Sequence, residues 1–320
     1  MNKENNQYNK RMKINIVVPC YNEQEVLEDT IEVLSKLSIQ IKQETDTEAL
    51  ILFVDDGSKD KTWSIIKASA KKYSFISGIK LSHNKGHQNA LWAGMENSID
   101  CCDAMVSIDA DLQDDENVII DMVKQLKEGK DIIYGVRKER KTDTFFKRFT
   151  AQAFYKIMQK ADKEVIYNHA DFRMMSNRAL KALMQYPERN LFLRAIVREL
   201  GFKEGFVYYD RKAREAGVSK YPLKKMLAFS MDGITSFSIA PLQFITFIGL
   251  IMTFVSILMI VFVIVEYIKG DTIKGWSSIL ISLWFIGGII TTGIGITGIY
   301  IGKIYTEVKR RPRYFIEEKV

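Results

Sequence analysis

Cysteine and histidine are scarce in this chain of 320 residues, with three of each. Cys20, Cys101 and Cys102 form no CxxC pair and no cysteine–histidine set with metal-ligand spacing. That excludes a zinc site of the finger or ribbon kind. An adjacent pair such as Cys101–Cys102 seldom closes a disulfide, so the thiols read as free in a reducing compartment. His83, His87 and His169 show no metal spacing either, and His87 reads as polar packing at a helix start. The first residues, 1–13, are polar and basic with no apolar run behind them. This excludes a signal peptide and leaves the polar part of the chain expected in the cytoplasm. No internal repeat, low-complexity segment or nucleic-acid motif is visible.

The chain carries a net charge of +7. Without a nucleic-acid motif, that balance points to anionic lipid and phosphate. Mean hydropathy is −0.08, but the average hides a split. Charged and mixed sequence fills the first two-thirds, and residues 239–301 are almost wholly apolar. Segregation of this kind predicts a soluble domain joined to a membrane part.

Short apolar runs alternate with helical patterns through the first part. Strands are predicted at 14–19, 49–54, 75–81, 104–108 and 131–134, and helices at 25–37, 60–73, 86–98 and 116–128. Such alternation describes a mostly parallel sheet covered on both faces. In these sheets ligands bind beyond the carboxyl ends of the strands. The polar clusters Pro19–Glu23, Asp55–Ser58 and Asp109–Gln113 each lie just after a strand.

Two uncharged spans follow, 241–265 and 276–301. Twenty-five helical residues reach about 37 Å, enough to cross a hydrocarbon core of about 30 Å. Lys224 and Lys225 precede the pair, and Lys303, Lys309, Arg310, Arg311 and Arg313 follow it. The positive-inside rule then places both outer ends in the cytoplasm. Segment 221–239 sets Leu223, Met226, Leu227, Phe229, Met231 and Ile234 among Lys224, Lys225 and Asp232. That pattern predicts an amphipathic helix lying in the interface. Gly298 and Gly302 make a GxxxG pattern that permits close approach to the first span or to a second copy.

The strongest chemical feature is the acidic run from Ser107 to Asp115. Carboxylates at Asp109 and Asp111, two residues apart after a strand, can converge on one hard cation, with oxygen from Gln113. Mg²⁺ or Mn²⁺ held there would neutralise the diphosphate of a nucleotide leaving group. At Asp55 and Asp56 a strand-end carboxylate can accept hydrogen bonds from a base or ribose. Ser58 or Asp60 can instead cap the next helix. Tyr21 can lie against a base and Glu23 can accept from it, although ordinary loop geometry accounts for either residue alone.

Taken together the motifs resemble glycosyltransferase family 2, with the GT-A Rossmann-like fold. Within it they are most similar to dolichyl-phosphate mannose synthases and bacterial polyprenyl-phosphate glycosyltransferases. The marks are VPCYNE at 18–23, VDDGSKDKT at 54–62, NKGHQNAL at 84–91, DADLQD at 109–114, YGVR at 134–137, DFRMM at 171–175 and AGVSKYP at 216–222. By that resemblance Pro19, Tyr21, Glu23, Asp55, Asp56, Asp109 and Ala110 hold a nucleotide-sugar, and Asp109, Asp111 and Gln113 hold the metal and diphosphate. Arg137, Arg148 and Lys220 hold the acceptor phosphate, a task suited to guanidinium because its fork donates two parallel bonds. Arg148, beside Lys147, also reads as a solvated or lipid-facing charge. Asp111, Arg137 and Asp171 are the candidate catalytic residues, with Asp171 either a base or the orienting partner of Arg173.

The resemblance implies an inverting transfer of one sugar to undecaprenyl or another polyprenyl phosphate. UDP-glucose or UDP-N-acetylglucosamine is the expected donor by family frequency alone. A flippase partner and a homo-oligomer are compatible with the membrane part. Processive members carry a Gln-x-x-Arg-Trp motif. Here the corresponding region is Arg189–Arg194, which argues against polymer synthesis. Two rival expectations are transfer to another acceptor, such as diacylglycerol or a growing glycan, and a catalytically inactive scaffold. The intact Asp109, Asp111 and Gln113 disfavour the scaffold. The expected organisation is a tail over 1–13, a catalytic domain over 14–220, the amphipathic helix over 221–239, a transmembrane hairpin over 240–302 and a basic cytoplasmic tail over 303–320.

Overall fold

The computed structural model describes residues 11–138, 169–189, 191, 193–210 and 275–320, with single positions between 242 and 258. The chain divides into two units. One holds residues 1–156, 164–222 and 311–320; the other holds 157–163 and 223–310.

In the first unit the predicted alternation is present. Strands β1 (Lys13–Cys20), β2 (Glu48–Asp55), β3 (Ile76–Leu81), β4 (Ala104–Ser107) and β5 (Ile132–Arg137) alternate with helices α1 (Leu27–Thr45), α2 (Thr62–Lys72), α3 (His87–Ser98) and α4 (Val118–Lys127). Beyond them come β6 (His169–Ser176), α5 (Asn177–Leu183), α6 (Leu193–Glu199) and β7 (Glu204–Tyr209). Later in the chain lie α7 (Trp276–Lys309) and β8 (Ile316–Lys319).

Helical spacing decides α1. Leu27, Ile31, Leu34 and Ile41 share one face and are buried against the sheet. The helix stops at Asp46, which turns left-handed at φ 47° while its N–H reaches the Lys42 carbonyl at 3.1 Å. Helix α3 lies close on β1, because Gly94 leaves no room for a Cβ against Val17. The central strands are apolar on both faces, as a covered sheet requires: Ile14, Ile16, Val17 and Val18 are fully buried.

The sheet order is β7-β5-β6-β4-β1-β2-β3-β8. Four of its seven strand pairings are parallel and three are antiparallel. Strand β6 enters between β4 and β5 and runs antiparallel to each, and β8 pairs antiparallel with β3. The result is a mixed sheet. Neither strand announces itself by hydropathy, since β6 carries Asp171 and Arg173 and β8 reads IEEK. Charge on an outer strand also guards a sheet edge against further pairing.

The last residues therefore differ from the expected basic tail. Residues 311–320 belong to the first unit. Arg313, expected in the basic cytoplasmic tail, lies 3.6 Å over the Trp92 ring and donates to the Tyr186 and Glu188 carbonyls at 3.1 and 2.6 Å.

In the second unit α7 runs past the predicted end of its span, to Lys309. Its stretch Phe285–Lys309 is the one helix among the described residues long and apolar enough to cross a membrane, and none of it is buried. Ile245 approaches this helix, lying 3.3 Å from where a Cβ on Gly293 would sit. The first predicted span is described only at scattered positions, so a two-helix hairpin is not shown. The segment 221–239, Arg148 and Lys220 lie outside the described residues.

Candidate active site

Strands β1 and β2 are parallel neighbours and finish together, Cys20 opposite Asp55. Their following loops leave the sheet side by side and are stapled to each other. Asn22 N–H donates to Ser58 Oγ at 2.9 Å, and Lys59 N–H donates to Asn22 Oδ1 at 2.9 Å. Glu23 N–H donates to Thr62 Oγ1 at 2.9 Å. Asp60 Oδ1 accepts from the N–H and hydroxyl of Thr62, so Asp60 organises the start of α2.

The two aspartates at the end of β2, Asp55 its last residue and Asp56 the next, have different surroundings. Both oxygens of Asp56 accept backbone N–H groups, from Lys85 at 2.7 Å and Gly86 at 2.8 Å. Asp56 thereby pins the loop that leads into α3. Gly57 lets that loop come close: its φ is +67°, and a Cβ there would lie 2.7 Å from the His83 carbonyl carbon. Asp55 is fully buried, with Oδ1 accepting from Ser58 N–H at 3.1 Å. Its Oδ2 is buried without a hydrogen-bond partner. Burial pushes the Asp55 carboxyl above its ordinary range despite the pull of Ser58. Pro19 is buried beside these loops, and Tyr21 is exposed at their mouth.

The acidic run after β4 forms a tight turn. Ala110 is buried and its carbonyl accepts from Thr30 Oγ at 2.6 Å. Leu112 takes φ 44°, and Gln113 N–H points back to Asp111 Oδ1 at 3.3 Å. Asp114 turns inward to Arg137, whose Nη2 and Nε approach its Oδ1 at 2.8 and 3.1 Å. Asp109 stays half exposed, and its Oδ1 lies 3.8 Å from His87 Nε2. Crowding by surrounding protein raises the Asp109 carboxyl above its usual range; His87 opposes this, while Asp114, Asp111 and Asp171 add to it.

Strand β6 brings Asp171 to the same place. Ser107 Oγ donates to the Asp171 carbonyl, joining the ends of β4 and β6. The Asp171 carboxylate is a hub. Arg173 Nη2 meets it at 2.7 Å, and Arg194 meets it with Nε at 3.2 Å and Nη2 at 3.1 Å. His87 Nε2 is 3.9 Å away, and Gln88 Nε2 is at 3.5 Å. Burial works to raise this carboxyl, but Arg194 and Arg173 outweigh it and hold it well below the ordinary carboxylate range. The start of α6 is latched into the network: Leu193 N–H donates to Gln88 Oε1, and its carbonyl accepts from Arg173 Nη1.

Loops after β1, β2 and β4 thus leave the carboxyl edge of one sheet, and those at β2 and β4 carry acids. Residues 15–184 match the family described as Glycosyl transferase family 2. The chain belongs to glycosyl transferase family 2. It is 50% identical over 306 residues to the uncharacterized glycosyltransferase YkoT of Bacillus subtilis (strain 168), covering 95% of this chain and 91% of that protein. It is 38% identical over 309 residues to the SfII prophage-derived bactoprenol glucosyl transferase of Shigella flexneri, covering 96% and 98%. Among solved structures, glucosyl-3-phosphoglycerate synthase from Mycobacterium tuberculosis aligns over 71% of this chain and 79% of that one, at 18% identity and a TM-score of 0.47.

Within this family-2 glycosyltransferase, the structure gathers Asp109, Asp111, Gln113 and Asp171 around the end of β4. Asp55 ends β2 and Asp56 follows it, two strands away in the same sheet. Arg137 is drawn to Asp114, a partner the spacing did not suggest. Arg194, Gln88 and His87 were not among the expected site residues. Arg194 ended the region compared with the processive motif, but only β6 brings it to Asp171. Among the described residues, no group of three or more His, Cys, Asp or Glu gathers as a cage for an ion. Mg²⁺ or Mn²⁺ needs no such cage when substrate phosphates complete its shell. Asp109 and Asp111, two residues apart just after β4, fit a cation whose remaining ligands are phosphate oxygens.

Proposed function

We propose that this chain transfers one sugar from a nucleotide-sugar to a polyprenyl phosphate at the cytoplasmic face of the cell membrane, with inversion at the anomeric carbon. The single observation that carries this reading is the 38% identity, over almost the full length of both chains, to a protein named bactoprenol glucosyl transferase. That name also favours glucose as the sugar. The lone buried oxygen of Asp55 is an acceptor that a base with a ring N–H, uracil or guanine, would satisfy, and UDP-glucose is the donor taken for this reading. UDP-N-acetylglucosamine is the second candidate.

In this reading Pro19, Tyr21 and Glu23 flank the base, and Asp56 keeps the loop before α3 in place beside it. Asp109, Asp111 and Gln113 hold a divalent cation with the diphosphate; when bound, it stabilises charge on the leaving group. Arg137, Arg148 and Lys220 meet the acceptor phosphate. One phosphate oxygen bonds to the anomeric carbon as the bond from that carbon to the nucleoside diphosphate breaks. The acceptor is already an anion, so alignment and desolvation serve it more than a base does. Asp171, kept ionised by two arginines, orients them and the sugar. Helix α7 and the preceding apolar span anchor the enzyme as a multi-pass membrane protein.

A donor screen on purified protein tests this, with undecaprenyl phosphate or diacylglycerol as acceptor and nucleoside diphosphate release as readout. Release is expected with the phosphate lipid and Mg²⁺ or Mn²⁺. Asp111→Asn is expected to cut turnover by about a hundredfold or more, while the protein stays in the membrane fraction. Transfer confined to the neutral lipid would overturn the acceptor assignment, and full turnover by Asp111→Asn would overturn the metal assignment.

A further inference from the structure

The final ten residues do far more than the expected tail. Strand β8 completes the sheet beside β3, and Gly78 and Val320 exchange backbone hydrogen bonds at 2.9 and 3.0 Å. Side chains then reach three elements around it. Glu318 accepts from Trp63 Nε1 at 2.7 Å and from Lys67 at 2.6 Å, both on α2. Tyr314 donates to Glu96 at 2.6 Å and Lys319 to Asn97 Oδ1 at 2.8 Å, both on α3. Arg313 covers Trp92, also on α3, and ties it to the Tyr186 and Glu188 carbonyls. The Phe315 carbonyl accepts from Ser82 N–H at 3.0 Å, at the base of the loop that Asp56 pins.

Three residues of α3 are thus held by this segment, and the same helix begins with His87 and Gln88. Those two face Asp109 and Asp171. A twelve-residue helix moves nearly as a rigid rod, so its far turns fix where its first turn lies.

We propose that residues 311–320 are a clasp that positions α3, and through it His87 and Gln88, for the transfer reaction. The contacts described for the clasp run to α2, α3, the loop after β3 and the Tyr186 and Glu188 carbonyls. It acts through α3 and through the loop after β3. The activity arm of the test rests on the sugar-transfer reading; the exchange arm does not.

The test uses the full-length protein with Arg313→Ala, Arg313→Lys and the milder Tyr314→Phe. Amide hydrogen exchange is followed at Asn89 and Ala90, whose N–H groups bond to the Gly86 carbonyl. Turnover is followed with UDP-glucose and undecaprenyl phosphate. Arg313→Ala is expected to speed exchange at both amides at least tenfold and to lower kcat at least tenfold, with KM for UDP-glucose changing less. Arg313→Lys recovers part of both, because ammonium keeps the charge over Trp92 but lacks the planar fork for two carbonyls. Should Arg313→Ala not fold, Tyr314→Phe is expected to show the same two changes in smaller measure. Unchanged exchange at Asn89 and Ala90 in the folded variants overturns the clasp, and so does a lowered unfolding temperature with exchange and kcat intact. If the wild type transfers nothing from any donor, the proposed function fails, and the exchange arm still decides the clasp.

Discussion

Replacing Asp171 with asparagine is the most informative single change in the site. The side chain keeps its shape and loses its charge. Arg173 is fully buried, and its Nη2 then faces a neutral amide in place of a carboxylate 2.7 Å away. Removing one partner of a buried pair costs about 3–5 kcal/mol. Arg194 is 30% exposed, so solvent screens its share. Arg173 also keeps its bond to the Leu193 carbonyl. The lower end, about 3 kcal/mol, is therefore expected. For a unit of this size that lowers the unfolding midpoint by roughly 6–12 °C.

The pH dependence has a definite sign. Folding depresses the Asp171 pKa, so its stabilisation is complete above the unfolded carboxylate value of about 3.9 and is lost as pH falls below it. The wild-type midpoint should fall on acidification below about pH 4 more steeply than that of Asp171→Asn. Circular dichroism melts of the detergent-solubilised full-length protein measure both quantities. A second change, Arg173→Met in the Asp171→Asn background, should restore part of the loss, since an apolar replacement of a buried pair is often near neutral. A midpoint within about 2 °C of wild type for the single variant would refute the claim that Arg173 depends on this carboxylate.

Two further changes probe the other loops. Asp109→Asn should raise the unfolding midpoint only slightly at neutral pH: folding raises the Asp109 pKa, so its penalty is absent at low pH and complete once pH exceeds the folded value, but the carboxylate is half exposed and solvent screens it. Added Mn²⁺ should then stabilise the wild type and not this variant, and equal stabilisation of both would remove Asp109 from the cation site. Gly57→Ala should cost about 2 kcal/mol or more from its left-handed backbone and the approach of the His83 carbonyl carbon. It should also weaken UDP binding in a titration, because it forces the Asp56 loop away from its neighbour; unchanged affinity would separate that loop from the nucleotide.

Much of this enzyme was legible in its sequence. Apolar runs at 14–19, 49–54 and 104–108 marked buried strands, and the polar clusters behind them marked the site edge. Hydropathy also found the apolar stretch that α7 carries. Those features are local: each follows from which face of a short element is dry, and the spacing of its own residues records that. The places where the reading went astray are long-range. Strand β6 mixes Asp171 and Arg173 with apolar residues, and its insertion between β4 and β5 depends on direction and register that no window of sequence contains. The IEEK strand at the end looks solvated until β3 offers it an edge.

The same division runs through the site. Asp109, Asp111 and Asp171 were singled out from their motifs as candidates, whereas the residues they meet, Arg173 apart, were not. Arg194, Gln88 and His87 reach Asp171 from separate elements, and Arg137 turns to Asp114 because β5 ends near that loop. The sequence by itself determined β1 to β5 and α1 to α4, the acidic strand ends and the family. Only the tertiary structure decided which charges meet, because an ion pair requires two side chains to converge in space and one buried carboxylate can choose among several cations.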